Sequence, residues 1–193
     1  MNANNSISQR KHLRLKGHNY SSPGWYYLTI CTQDRQCLLG KIINGKMKLN
    51  EFGKITKGKI KGLEKYQNIN VDIYCVMPNH IHLIINIVGA DPRVRPSSTG
   101  SCARPNQSGL TQGSIGSTQG STPTVGKCVK RFKTLTTRIY VKNVKNNHWP
   151  PFKKRIWQRN FYEHIIRNEE ELNRIRRYIT DNVVNWREDE NYK

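Results

Sequence analysis

Residues 71–88 read VDIYCVMPNHIHLIINIV, and the organisation of the chain turns on them. Val71 to Met77 and His80 to Val88 are dense in β-branched and aromatic residues, and Pro78-Asn79 interrupts the first run before the second begins. Two adjacent antiparallel strands are predicted. His80 and His82 stand two apart in the second, so both imidazoles share one face while Ile81, Leu83 and Ile85 supply the other. Such a pair can reach a single metal ion, although an HxH dipeptide alone serves a structural role as readily.

Outward from this centre, Trp25 to Thr32 (WYYLTICT) reads as a first strand introduced by Pro23 and Gly24. Cys37 to Ile43 and Lys46 to Leu49 flank Asn44-Gly45, a dipeptide that favours positive φ and closes a tight hairpin. Asn50 is placed to cap a helix running to about Tyr66, with Phe52, Ile55, Ile60 and Leu63 as core contacts, against the weakening effect of Gly53, Gly58 and Gly62. From Gly89 to about Gly126 the chain is Gly, Ser, Thr, Pro and Gln with the tetrad TQGS twice, which predicts a flexible insertion.

Val129, Phe132, Leu135 and Ile139 define the apolar face of a further helix whose other faces carry Lys127, Lys130, Arg131, Lys133, Arg138 and Lys142. His148 to Asn160 mixes aromatics, cations and a Pro pair, and reads as an irregular surface connection. Asn168 followed by Glu169, Glu170 and Glu171 begins a last helix, predicted to end near Val184, with Leu172, Ile175, Ile179 and Val183 as its buried stripe. Arg187 to Lys193 reads as a frayed tail.

The chain has 33 Lys and Arg against 13 Asp and Glu, a formal net charge of +20, which points to a polyanionic partner and to nucleic acid first. No apolar run long enough to span a bilayer and no lipidation motif is found, so a membrane is not expected. Five cysteines without a CxxC pair fit reduced thiols rather than a disulfide framework or zinc site, and the first residues lack the apolar core of a secretory signal. A cytoplasmic, nucleoid-associated protein is expected.

Tyr178 and Asn182 are four apart and stack on one side of the last helix, at the flank of its apolar stripe. There a ring edge can pack while the hydroxyl stays accessible. A phenol near a metal site suits phosphodiester cleavage: the ion polarises a non-bridging oxygen while the phenol oxygen attacks phosphorus. With an ordinary pKa of about 10, that phenol needs help from a cation. Glu163 and His164 are possible helpers, and Tyr162, beside Phe161 and Trp157, is the rival nucleophile.

Three blocks, YYLTICTQDRQCLLG at 26–40, VMPNHIHLIINI at 76–87 and WQRNFYEHIIRNEEELNRIRRYITDN at 157–182, resemble the REP-associated tyrosine transposases, relatives of the single-tyrosine insertion-sequence transposases of the HUH superfamily. The resemblance covers nearly all of the chain except 89–126. It implies an α+β fold, a ferredoxin-like antiparallel sheet with helices on one face, forming a single HUH endonuclease domain over residues 1–193 interrupted by the insertion at about 89–126. It implies His80 and His82 as metal ligands, Tyr178 in the RYIxxN pattern as nucleophile, and Asn182 completing the metal site. It further implies Mg²⁺ or Mn²⁺, hairpin-forming single-stranded DNA as substrate, a 5′-phosphotyrosine link with a free 3′-hydroxyl, and action as a monomer or homodimer. Val183 departs from the Pro that many relatives carry there, so the helix is expected to run further. The other readings are a catalytically silent DNA- or RNA-binding protein and a metal-dependent ribonuclease using water.

Overall fold

The computed structural model describes residues 22–65, 68–88 and 124–192. Its elements run β1 (Gly24–Cys31), β2 (Gly40–Ile43), β3 (Lys46–Leu49), α1 (Glu51–Lys61), β4 (Ile69–Val76), β5 (His80–Ile87), α2 (Val125–Asn146), β6 (Tyr162–Ile166) and α3 (Glu169–Asp181). The main sheet is antiparallel in the order β4-β5-β1-β6, and β2 with β3 forms a separate hairpin. With the hairpin set aside, β1-α1-β4-β5-α2-β6 is a βαββαβ unit with the two strands expected from residues 71–88 at and next to its centre. The fold class is therefore the α+β, ferredoxin-like one.

Strand alternation gives the sheet two apolar faces. Tyr26, Leu28 and Ile30 of β1 and Ile81, Leu83, Ile85 and Ile87 of β5 pack with Phe52 and Ile60 of α1 and with Val129 and Phe132 of α2. Each of these aliphatic side chains contributes about 1.5–3 kcal/mol by leaving water. On the other face Ile84, with Ile73 and Tyr27 beside it, packs against Leu172, Ile175 and Ile179 of α3. The expectation of helices on one face thus holds for α1 and α2 but not for α3. Because β5 is buried on both sides, the second side needs a cover of its own, and α3 supplies it.

The local signals act as anticipated at several positions. Asn44 (φ 51) and Gly45 (φ 68) make the hairpin turn. The Asn50 and Asn168 side chains accept hydrogen bonds from the N–H groups of Gly53 and Glu171, both at 2.8 Å. Gly53 has a packing reason to be glycine: a Cβ there would lie 2.0 Å from the Leu39 carbonyl oxygen. The helix expected to reach Tyr66 changes at Gly62 into a 3₁₀ turn over Gly62–Lys65, and Tyr66 itself lies outside the described residues.

Four expectations need correction. The buried stripe of α2 is Val125, Cys128, Val129, Phe132, Thr136 and Tyr140, so Leu135 and Ile139 are only flanking. Thr136 can be buried because its hydroxyl donates to the Phe132 carbonyl at 2.9 Å and accepts from Trp157 Nε1 at 2.9 Å. That contact also shows that 148–160 is not merely a surface connection, since Ile156 and Trp157 are core residues and Thr32 bridges to Trp157. Strand β6 was not anticipated; its five residues lie between stronger signals and pair as a sheet edge with β1. Finally, α3 ends at Asp181 rather than near Val184, and the buried residue one turn past Ile179 is Asn182, not Val183.

The insertion expected at 89–126 lies, up to residue 123, outside the described residues; Thr124 already caps α2, its hydroxyl accepting from the Lys127 N–H at 3.1 Å. Among the described residues no helix is long and apolar enough to cross a membrane.

Candidate metal centre and nucleophile

Both imidazoles of β5 lie under α3, His80 fully buried and His82 nearly so, with their Nε2 atoms 2.9 Å apart. Their outer nitrogens are held by neighbours. The Asn79 amide donates to the Arg35 and Asn191 carbonyls at 3.1 and 2.8 Å, which turns its oxygen toward His80 Nδ1 at 2.8 Å. Nδ1 of His80 must therefore carry the proton, and Nε2 presents a lone pair to the site. Nδ1 of His82 lies 2.7 Å from the Tyr27 hydroxyl and 3.0 Å from the Thr29 hydroxyl. Burial first, and then the neighbouring His82, lower the His80 pKa from 6.5 to about 3, so the ring is neutral at physiological pH.

The third member of the cluster is Asp189, within the segment 187–193 expected to be a frayed tail. A 3₁₀ turn over Trp186–Glu188 follows α3, stacks the Trp186 ring on His80 at 5.8 Å, and folds Asp189 back onto the sheet. The tail is further tied by Arg35 Nη1 donating to the Glu190 carbonyl at 2.7 Å. Asp189 Oδ2 lies 3.5 Å from His82 Nε2 and 3.8 Å from His80 Nε2. Burial alone would raise its pKa, but hydrogen bonds from His82 and Asn182, the nearby His80 and the Asn191 N–H outweigh burial and hold the carboxyl well below the usual range.

Tyr178 and Asn182 converge on the same oxygen. The Tyr178 hydroxyl donates to Asp189 Oδ2 at 3.1 Å and Asn182 Nδ2 does so at 2.8 Å. Tyr178 remains about two-fifths exposed and its ring meets His82 edge-on at 5.3 Å. Partial burial, with the Asp189 charge, pushes its phenol up to about 12.

The donor set fits a divalent cation. Two imidazole nitrogens and a carboxylate oxygen lie within 4.8 Å of one another, all on buried residues. With both rings protonated on Nδ1, the two facing nitrogens and the ionised carboxylate would all present lone pairs, a donor set that a shared cation suits. Hydrogen bonds to the outer ring nitrogens are what a metal-binding histidine requires. In addition, Asn182 Oδ1 is buried without a hydrogen-bond partner among the described residues.

The remaining candidates fall elsewhere. Tyr162 lies on β6, its ring 6.0 Å from that of Tyr27, on the wall of an open cleft lined also by Tyr27, His164 and Tyr178, rather than against Asp189. Glu163 pairs with Leu28 across the sheet, so it faces α1 and α2 and cannot assist at the histidines. His164 is on the cleft side but bonds Glu171 Oε1 at 2.7 Å. Asp189 itself carried a weak sequence signal, an acid among a short run of charges with no periodicity. Two large aromatics, Trp186 just before the expected tail and Tyr192 within it, were the signal that this segment packs.

No protein-family model matches the chain. An uncharacterized protein of Haemophilus influenzae is 36% identical over 190 residues, spanning 98% of this chain and 96% of its own length. A solved structure of a REP-associated tyrosine transposase bound to a REP hairpin superposes with a TM-score of 0.55 at 16% identity, covering 90% of this chain and 74% of that one. The chain therefore belongs to one family with the Haemophilus influenzae protein, and its fold is that of the REP-associated tyrosine transposase.

Proposed function

We propose that this protein is a metal-dependent single-strand DNA endonuclease and strand transferase that acts on hairpin-forming repeat DNA, with Tyr178 as nucleophile. The observation that carries the reading is the convergence of the Tyr178 hydroxyl, both histidine Nε2 atoms and Asn182 on one carboxylate oxygen of Asp189. His80, His82 and Asp189 would hold Mg²⁺ or Mn²⁺, with Asn182 orienting the carboxylate and offering its unpartnered Oδ1. The bound ion supplies Lewis acidity toward a non-bridging phosphate oxygen and offsets the Asp189 charge that keeps the phenol protonated.

In the reaction the Tyr178 oxygen forms a bond to phosphorus and gives up its proton, while the bond from phosphorus to the 3′-oxygen breaks and that oxygen takes a proton to become a free hydroxyl. Asp189 orients the phenol by accepting its hydrogen bond; as an unusually acidic carboxyl it is a poor proton acceptor, so the proton passes to solvent. The 5′-phosphotyrosine stores the bond energy, and attack by another 3′-hydroxyl reverses the step to join strands. All of these residues come from one chain, so a monomer suffices. The net charge of +20 favours the phosphate backbone, and the REP hairpin bound by the structural neighbour supports a hairpin substrate.

Purified protein with Mn²⁺ and an end-labelled strand carrying a hairpin should give nicked product, and Tyr178→Phe or excess EDTA should abolish it. A water-using nuclease would keep cleaving as Tyr178→Phe, and a pure binding protein would never cleave.

A further inference from the structure

Beside the proposed nucleophile lies an open cleft of about 690 Å³ between the 158–162 segment and α3, larger than a phosphate group needs. Tyr27 forms its floor, with its ring between those of Tyr162 at 6.0 Å and Tyr178 at 6.4 Å. Tyr162 is 45% exposed on the cleft wall. Gln158 and Asn160 line the same wall, and neither side-chain amide has a partner among the described residues. Their backbone is nevertheless fixed. Lys133 of α2 donates to the Gln158 and Asn160 carbonyls at 2.9 and 3.0 Å, and Gln158 N–H donates to the Cys31 carbonyl at 3.0 Å.

Two unpaired amides on a pinned backbone, next to an exposed aromatic ring, form a surface with stacking and hydrogen-bonding capacity but no ligand of its own. A nucleobase uses both: any base has a π-face for an aromatic ring, and an amide can meet a base edge with one donor and one acceptor. We propose that this cleft holds one unpaired nucleobase flanking the attacked phosphate, stacked on Tyr162 and read by the Gln158 and Asn160 amides. These residues would then choose where the strand is cut, while the metal centre does the cutting. The inference rests on the nuclease reading for its position along the strand, but base capture itself needs no catalysis.

The test is binding in EDTA, using a pool of DNA strands with a fixed stem-loop flanked by randomised unpaired positions. Wild-type protein should enrich one base at one position by about tenfold, and Gln158→Ala/Asn160→Ala should flatten that preference. 2-Aminopurine placed at that position should be quenched by wild type and Tyr162→Phe but not by Tyr162→Ala. No preferred position, a preference untouched by the double substitution, or quenching that survives in Tyr162→Ala would overturn the inference. Absence of cleavage in a separate reaction with Mn²⁺, with the base preference intact in EDTA, would count against the nuclease reading alone.

Discussion

The Tyr178 hydroxyl donates a hydrogen bond to Asp189 Oδ2 at 3.1 Å, so the proposed nucleophile is tied to the proposed third metal ligand although one lies on α3 and the other beyond it. Burial and this carboxylate together raise the phenol to about 12. Asp189→Asn removes the charge and leaves the burial. Its Tyr178 titration in metal-free protein, taken as the ultraviolet difference from the same variant carrying Tyr178→Phe, should move down toward the ordinary value. An unchanged titration would mean that the carboxylate does not set the phenol.

The outer nitrogens of the histidines predict a different effect. Tyr27 and Thr29 both contact His82 Nδ1, so Tyr27→Phe with Thr29→Val strips that ring of its supports without touching a ligand. Mn²⁺ binding, followed by calorimetry, should weaken about 10- to 100-fold while the circular dichroism spectrum is kept. Equal affinity would show that His82 is oriented by something else.

Acid should destabilise the metal-free protein through two groups acting in the same direction. His80 has a pKa of about 3 when folded against 6.5 when free, so between those values the unfolded chain binds the extra proton and stability falls as pH drops. Asp189, held below the ordinary carboxylate value, adds a loss at still lower pH as it is forced to protonate. The melting temperature should decline as pH is lowered below about 6.5, and His80→Asn should decline less steeply until Asp189 begins to titrate. A melting temperature that rises on acidification would reverse the assigned sign.

The angle of α3 on the sheet has its own anchor. Arg176 reaches Asp72 on β4 with two parallel hydrogen bonds, Nε to Oδ2 at 2.7 Å and Nη2 to Oδ1 at 2.8 Å. The pair is partly exposed, so a double-mutant cycle with Arg176→Ala and Asp72→Ala should give a coupling of about 0.5–1 kcal/mol. No coupling would show that the apolar contacts of Leu172, Ile175 and Ile179 alone dock the helix.

Much of the frame was legible because it depends on local chemistry. Alternation put the two histidines on one face, Asn44-Gly45 fixed the hairpin, and the caps at Asn50 and Asn168 set two helix starts. What stayed hidden depends on contacts distant in sequence. Thr136 is buried through a bond to Trp157 that no periodicity reports, and β6 is a strand because β1 has an open edge for it to fill. The helix-four spacing of Tyr178 and Asn182 was readable, but their common partner was not. Asp189 enters the site only because Trp186 packs on His80 and the Asn79 and Arg35 contacts hold the following turn.

The most direct measurement is the identity of the residue that carries DNA after cleavage. The protein is reacted with a hairpin-bearing single strand and Mn²⁺, digested, and its nucleotide-linked peptide sequenced by mass spectrometry. A 5′-phosphate ester on Tyr178 is the expected product. An adduct on Tyr162 or Tyr27, or cleavage with no adduct at all, would contradict it.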